Sequence, residues 1–202
     1  MDEPQAAARL VYHREGKPDR RQELILAAYN LIAQRGFEGL RVRAVAAQVG
    51  INGATLHHYF PTKEDLIQAV VDYVVARLSA AEAGPDLHAS PPELLHYQLK
   101  HLAQLMQNEP QLFVALVEIN LRQQRNPAAN FLARREKDWH THLTNLLQTG
   151  IEQKYWAQNL DPTATASVII ALVEGAGQWA ITDPGRGEQV LAQFEKWLLA
   201  PP

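Results

Sequence analysis

The sequence predicts an all-α fold of about nine helices, arranged as a compact front of three, a connecting fourth and a body of five. Two observations carry this prediction. Apolar residues recur at spacings of three and four along most of the chain, and no segment sustains the period-two alternation that is typical of strands. Proline and glycine breaks separate segments of helix length, at Gly36, Gly84-Pro85, Pro110, Pro127, Pro162 and Pro184-Gly185.

The composition is that of a folded globular protein, with 202 residues of which 47% are hydrophobic. The absence of cysteine excludes disulfides and fits a reducing cytoplasm. The acidic start lacks the apolar stretch of a signal peptide, and the apolar run at residues 168–173 is far too short to span a membrane.

Charge is distributed unevenly, although the formal net charge is only −3. The segment from Arg9 to Lys63 contains nine Lys or Arg and four Asp or Glu. From Glu64 onward the chain contains ten Lys or Arg and sixteen Asp or Glu. A basic front on an acidic body indicates that the front binds a polyanion, with a chance distribution as the alternative.

The front begins after residues 1–19, a polar stretch that we expect to be a flexible arm. Helical spacing starts at Arg20, and Gly36 is expected to end the first helix. Two short helices then complete a domain at residues 20–66, and a larger helical domain occupies residues 67–202.

The connecting helix is predicted over residues 63–83, because Thr62 is a suitable N-cap and acidic residues follow in the first turn. Ser90 is expected to cap the next helix, with a proline tolerated directly after it. The last two helices are predicted at residues 162–181 and 187–199.

Residues 42–60, VRAVAAQVGINGATLHHYF, have the pattern of two short helices joined by a sharp turn. Gly50 can adopt the positive φ that such a turn needs, and Asn52 is a good N-cap for the second helix. Leu56 and Phe60 are four residues apart and are expected in the core. This pattern predicts a helix-turn-helix, whose second helix enters the major groove of DNA.

The outer surface of the second helix combines two kinds of residue. Small ones would let the backbone approach DNA closely, and polar ones would reach base edges and phosphates. These residues are Gly53, Ala54, Thr55, His57, His58 and Tyr59, preceded by Asn52.

Residues 20–66 resemble the DNA-binding domain of the TetR/AcrR family of transcriptional regulators. The matching motifs are RGFEG at 35–39, VRAVA at 42–46, VGI at 49–51, TLHHYF at 55–60 and KEDL at 63–66. They cover about a quarter of the chain, and the remainder agrees in length and helicity only. The resemblance implies an all-helical fold, a homodimer built on the last two helices, a ligand cavity in the body and, in most members, repression relieved by a small molecule.

The resemblance also implies roles for single residues. Thr55, His57 and Tyr59 match positions that often contact DNA. Lys63 matches a lysine that commonly holds a phosphate, and Arg43 matches a polar position that faces the backbone or a base. His57 replaces the commoner tyrosine, so the operator sequence cannot be copied from relatives.

Arg41 departs from the family pattern, since it stands where a Thr or Ser N-cap is usual. An arginine near a helix N-terminus opposes the helix dipole by about 0.3–1 kcal/mol. We therefore hypothesise that Arg41 meets a DNA phosphate, which would supply the compensating anion.

The body carries bulky apolar and aromatic residues with a few polar ones between them. Each can be a core residue or a satisfied polar neighbour, but as a set they fit an apolar pocket with a few polar groups. The candidates are His101, Phe113, Leu116, Asn120, Trp139, His142, Glu174, Gln178 and Trp179. Glu174 is the most informative, because a carboxylate in an apolar stretch needs a partner. A cationic ligand, a neighbouring arginine and solvent are the alternatives.

The last two helices are expected to form a four-helix interface between two subunits. The first has small residues that permit close approach, at positions 164, 167, 171, 175 and 176. The second has more apolar surface than one small body needs, at positions 190, 191, 194, 197 and 198.

No nucleophile–base set, glycine-rich phosphate loop or dinucleotide motif is apparent, so we expect neither an enzyme nor a cofactor. The histidine pairs lack the spacing of helical metal ligands, so no metal is expected either. The interpretation is a dimeric repressor released from a palindromic operator by a small, largely apolar ligand. A ligand-independent regulator with a filled cavity is the main alternative, and a helical protein-interaction adaptor is a further one.

Overall fold

The computed structural model of the chain describes residues 19–82, 89–126 and 132–199. These residues form nine helices and no strand, which confirms the predicted all-α fold. The helices are α1 (Arg20–Gly39), α2 (Val42–Val49), α3 (Gly53–Tyr59), α4 (Lys63–Glu82), α5 (Pro91–Asn108), α6 (Pro110–Arg125), α7 (Ala133–Glu152), α8 (Pro162–Gly177) and α9 (Pro184–Leu199). The predicted flexible arm lies outside the described residues except for Asp19, whose side chain caps α1.

The first three helices form a small head around one apolar cluster. Leu24 and Ile32 of α1 are fully buried, and Leu56 and Phe60 are each only 1% exposed, as their four-residue spacing predicts. α1 packs on α2 and on the connecting helix α4. The short helices α2 and α3 are therefore held by burial of one side each, which leaves the opposite side of α3 to solvent.

The regular part of α1 ends at Gly36, as predicted. Gly36 leaves helical geometry with φ 63° and ψ −175°, and a short further turn continues to Gly39. The range of α1 therefore includes two helical pieces that meet at a kink. This backbone region is essentially restricted to glycine, because a Cβ would clash there.

The last two helices have different bounds from those predicted. α8 ends at Gly177, four residues early, because the chain passes into tight turns in which Trp179 N–H donates to Ala176 O at 3.1 Å and Ala180 N–H donates to Gly177 O at 3.2 Å. α9 begins at Pro184, three residues early, since proline needs no amide partner in the first turn of a helix.

The body is a layered bundle in which α5 packs on α9, α7 on α8, and α8 on α9. Gly177 and Gly187 occur at close approaches: a Cβ on Gly177 would lie 2.8 Å from the Phe113 ring, and one on Gly187 would lie 3.1 Å from Met106 Sδ. Within the three described ranges, none of the helices combines the length and the hydropathy that a bilayer crossing requires.

Candidate functional site

The second helix of the helix-turn-helix, α3, is only seven residues long and is fixed at its start by a side-chain cap. Asn52 Oδ1 accepts hydrogen bonds from the Thr55 amide at 2.8 Å and from the Thr55 hydroxyl at 3.0 Å. The preceding Gly50 has φ 72°, the left-handed conformation that the turn requires. Both sequence predictions about this turn are confirmed, and α3 is presented in one orientation.

All ten predicted DNA-contacting residues lie near the start of α2, on or next to α3, or at the first residue of α4. Six are exposed: Arg41, Arg43, Asn52, Ala54, His57 and His58. Four are half-buried: Gly53, Thr55, Tyr59 and Lys63. The structure thus brings the predicted residues together on the head, and their contacts with DNA stay a prediction.

The two histidines of α3 have different local partners. His57 Nδ1 lies 3.2 Å from the carbonyl oxygen of Pro61, so the neutral ring is the tautomer whose Nδ1–H donates and whose Nε2 can accept. His58 makes an edge contact with the Tyr59 ring at 5.7 Å. The Pro61 contact holds His57 in one orientation, which suits a residue that reads a base edge.

Arg41 occupies the N-cap position of α2 with extended backbone, and it makes no capping hydrogen bond with its side chain. The N-terminus of α2 is therefore without the side-chain acceptor that Asn52 supplies to α3. An exposed arginine at an uncapped helix N-terminus is the arrangement in which a bound phosphate could serve both the guanidinium and the helix dipole.

The helix that leaves the head, α4, begins with a reciprocal cap. Thr62 N–H and Oγ1 donate to Asp65 Oδ2 at 2.9 and 2.7 Å, and Asp65 N–H donates back to Thr62 Oγ1 at 3.1 Å. The hydrogen bonds from Thr62 lower the pKa of the Asp65 carboxyl below its usual 3.8. The cap keeps the half-buried Lys63 at the first helical position.

The head is joined to the body by a second contact, which the sequence analysis missed. The Arg122 guanidinium on α6 lies 4.9 Å from the centre of the Phe37 ring and 3.6 Å from Glu64 Oε1. The Glu118 carboxylate, one turn earlier on α6, packs against Gly36, where a Cβ would be 2.9 Å from its oxygen. We call these five residues the junction cluster. They come from three segments that are far apart in the sequence, and no motif pairs these segments.

Two neighbouring cavities lie beside α7 in the body. An outer groove of about 680 Å³ lies between α4 and α7, with Val71, Val75, His142 and several charged residues in its walls. An inner cavity of about 20 Å³ lies deeper, where apolar residues of α4 to α8 meet Asn120 and three charged residues. Arg135 and Trp139 line both spaces, so they separate the groove from the inner cavity.

The predicted ligand-binding residues are only partly brought together. Phe113, Leu116, Asn120, Trp139 and Glu174 line the inner cavity, whereas His142 lines the outer groove. His101, Gln178 and Trp179 line neither of these two cavities. The His101 ring lies edge-on to Tyr97 at 4.0 Å, and Arg186 lies over the Trp179 ring at 4.1 Å. Gln178 is exposed.

The titratable groups of the two cavities are perturbed by their surroundings. Although much of Glu174 is exposed, partial burial raises the pKa of its carboxyl, the nearby Glu136 raises that pKa further, and Arg135 lowers it. Burial lowers the pKa of His142, whose Nε2 lies 2.8 Å from the amide nitrogen of Gln98. The inner cavity thus disfavours a negative charge at Glu174.

A capped, exposed second helix on a three-helix head, joined to a helical body, is a helix-turn-helix arrangement of the kind that enters the major groove of DNA. Residues 24–70 match the family model described as bacterial regulatory proteins, tetR family. The head is therefore similar to the DNA-binding region of the TetR family, as the sequence motifs predicted.

Similar proteins match either the head alone or the fold of most of the chain. The HTH-type transcriptional regulator BetI of Brucella canis is 40% identical over 76 residues, so the match spans only 36% of that relative. The nicotine-responsive repressor HdnoR of Paenarthrobacter nicotinovorans is 25% identical over 82% of this chain and 86% of its own. A solved TetR-family regulator from Rhodococcus sp. superposes with a TM-score of 0.75 at 24% identity, covering 90% of this chain and 98% of its own.

Proposed function

We propose that the chain is a homodimeric repressor that binds a palindromic operator through two α3 helices and is released by a small, largely apolar ligand. The observation that carries this proposal is the α3 surface, where a cap at Asn52 and a buried Leu56 fix a short helix whose other side is exposed and polar. This is the geometry in which a helix can enter the major groove.

A second subunit would explain the outer surface of α8 and α9. Val168 of α8, Ile181 in the turn between the two helices and Trp197 of α9 are 47%, 56% and 69% exposed. Phe194 and Leu198 continue this surface, along a groove of about 340 Å³ between the two helices. A symmetric four-helix contact would bury this surface and place two heads on one face of DNA, about 34–36 Å apart.

The connecting helix α4 offers a route from ligand to DNA. It carries Lys63 at one end, and its later turns supply Val71, Val75 and Leu78 to the walls of the outer groove and inner cavity. A helix of 20 residues is about 30 Å long, so a tilt of about 5° moves one end by roughly 2–3 Å relative to the other. Such a displacement in each subunit would spoil the simultaneous fit of both α3 helices. The nicotine-responsive activity of HdnoR supports a ligand-released mechanism by analogy.

The ligand-independent alternative is favoured by the small volume of the inner cavity. A space of about 20 Å³ accommodates about one water molecule, so a ligand enters it only if side chains move. The outer groove favours the ligand-responsive mechanism instead. Titration calorimetry of the ligand, with and without operator, decides between the ligand-independent and the ligand-responsive mechanism. If ligand weakens operator binding by some factor, operator must weaken ligand binding by the same factor. Equal ligand affinities would refute release.

DNA recognition is tested by selecting bound sequences from a random duplex pool with the full chain. We expect a palindrome to emerge, and Lys63→Ala to lower the slope of log affinity against log salt by about 1. Lys100→Ala is the matched control, because Lys100 is an exposed lysine on α5, away from the head. Selection of no duplex sequence at moderate salt would contradict the proposal and favour a protein-binding adaptor.

The Arg41 hypothesis is tested in the same assay. If Arg41 meets a phosphate, Arg41→Ala should weaken binding to all selected sequences about equally and lower the salt slope by about 1. Unchanged affinity and slope would mean that Arg41 lies away from the DNA.

A further inference from the structure

The inner cavity already contains a cation over an aromatic ring. The Arg135 guanidinium lies 5.1 Å from the centre of the Trp139 ring, within the range of a cation–π contact. Trp139 is only 6% exposed, and its indole Nε1 is buried without a hydrogen-bond partner in the described part of the chain. The ring is thus a deeply placed cation site that also has an unused donor.

The other charged groups of this cavity are both acidic. Glu136 of α7 and Glu174 of α8 line it together with Arg135 and Asn120, and the remaining walls are apolar. The two carboxylates repel each other, and Arg135 is the group that offsets this repulsion at Glu174. If the guanidinium leaves, the cavity keeps two acidic groups and a bare aromatic face.

The position of Arg135 makes it a plug between the two spaces. It borders both the outer groove and the inner cavity, which has room for about one water molecule as it stands. A ligand that arrives from the groove therefore meets the Arg135 and Trp139 side chains. Displacement of the long Arg135 side chain enlarges the inner cavity and leaves the Trp139 ring in place.

We propose that the inner cavity binds an organic monocation, which enters from the outer groove and takes the place of the Arg135 guanidinium at the Trp139 ring. An anion would face both carboxylates. A neutral apolar molecule would remove the arginine without replacing its charge. An organic cation restores the charge balance and brings its own apolar surface to the cavity walls, and a hydroxyl or carbonyl group on it would accept from the indole N–H. This inference rests on the proposed ligand-responsive function and names the class of ligand.

The test compares two molecules of nearly equal shape that differ in charge. The probes are meta-hydroxyphenyltrimethylammonium and its neutral isostere meta-tert-butylphenol, titrated calorimetrically into the full chain without DNA. We expect the ammonium to bind at least tenfold more tightly. Glu174→Gln and Glu136→Gln should each reduce this preference several-fold, whereas Glu152→Gln, an exposed acid on α7 away from both cavities, should retain it.

Arg135→Ala tests whether the Arg135 guanidinium competes with the ligand or only supports the structure. Removal of the competing guanidinium should raise the affinity for the ammonium by about tenfold, while a structural arginine would leave it unchanged or lower it. Circular dichroism checks that each variant is folded, and Arg135→Met, which keeps most of the side-chain length, replaces any alanine variant that is not.

The inference is overturned if the folded wild-type chain and the Arg135 variant both bind neither probe, or if both bind the two probes equally. These outcomes are distinguishable from failure of the regulator proposal. If the chain selects an operator but does not prefer the ammonium, only the inference about the cation is refuted. If it prefers the ammonium but selects no DNA, only the proposed regulatory role is refuted.

Discussion

At the junction of head and body, Gly36 is the position at which an added methyl group should lower the free energy of unfolding most. Its φ of 63° and ψ of −175° fall in a region that only glycine occupies readily. A Cβ there would also lie 2.9 Å from one carboxylate oxygen of Glu118. Gly36→Ala therefore perturbs both the backbone of α1 and its packing on α6.

The expected magnitude comes mainly from the backbone. A non-glycine residue held in such a region costs about 1–3 kcal/mol. The contact with Glu118 adds little, because the carboxylate is the far end of a flexible side chain and can turn away. We expect the free energy of unfolding to fall by about 1–3 kcal/mol, with most of this loss remaining in a Glu118→Ala background.

The assay is urea denaturation followed by circular dichroism, with the four chains of a double-mutant cycle at positions 36 and 118. Gly53→Ala is the matched control, since a Cβ on Gly53 meets no atom within 4 Å and Gly53 has no positive φ. Its unfolding free energy should be unchanged or slightly higher, because alanine limits the unfolded chain. If Gly36→Ala and Gly53→Ala are equally stable within about 0.3 kcal/mol, the backbone argument is wrong.

Three further variants test the cap, the subunit interface and the cavity. Asn52→Ala removes the hydrogen-bond acceptor at the start of α3, so the free energy of unfolding should fall by about 1 kcal/mol and the affinity for operator should fall. Unchanged denaturation and DNA-binding curves would argue against a stabilising role of the cap. Trp197→Asp puts a charge on the exposed surface of α9 and should yield monomers in sedimentation, whereas Leu121→Asp on α6 should not; a dimeric Trp197→Asp would place the interface elsewhere. Glu174→Gln should stabilise the chain at neutral pH by less than about 1 kcal/mol, allowing for the exposure of the side chain. Because the folded-state pKa of Glu174 is raised, ionisation of its carboxyl opposes folding above the usual pKa of 4.5. The stability gained by Glu174→Gln should therefore vanish in denaturation curves recorded below about pH 4.5. A gain that persists at that pH would show that ionisation of Glu174 is not its cause.

The helix-turn-helix could be predicted because its signals are local. Gly50, Asn52 and the Leu56–Phe60 pair each act within one or two turns of the chain, so turn chemistry and helical spacing are sufficient to place α2 and α3. The caps at Thr62 and Ser90 follow the same logic: Ser90 N–H and Oγ donate to Glu93 at 2.8 and 2.6 Å.

The junction cluster and the cavity walls could not be predicted in this way. Arg122 lies 85 positions after Phe37, and their contact depends on how α6 crosses α1. His101 and Phe113 both occur in helical segments with suitable spacing, but the packing of α5 and α6 brings only Phe113 to the inner cavity. Periodicity shows that a helix has an apolar side, and it does not show which neighbour that side meets.

The junction cluster has a consequence for building chimeric regulators. A graft of residues 20–66 onto a foreign body, the division that the sequence suggests, would transfer Gly36, Phe37 and Glu64 but leave Glu118 and Arg122 behind. The transplanted Gly36 kink and Phe37 ring would then pack against side chains of the foreign body, which are selected to fit a different head. A graft that also carries positions 118 and 122 of α6 should preserve the response of the recipient, so the exchangeable unit is discontinuous along the chain.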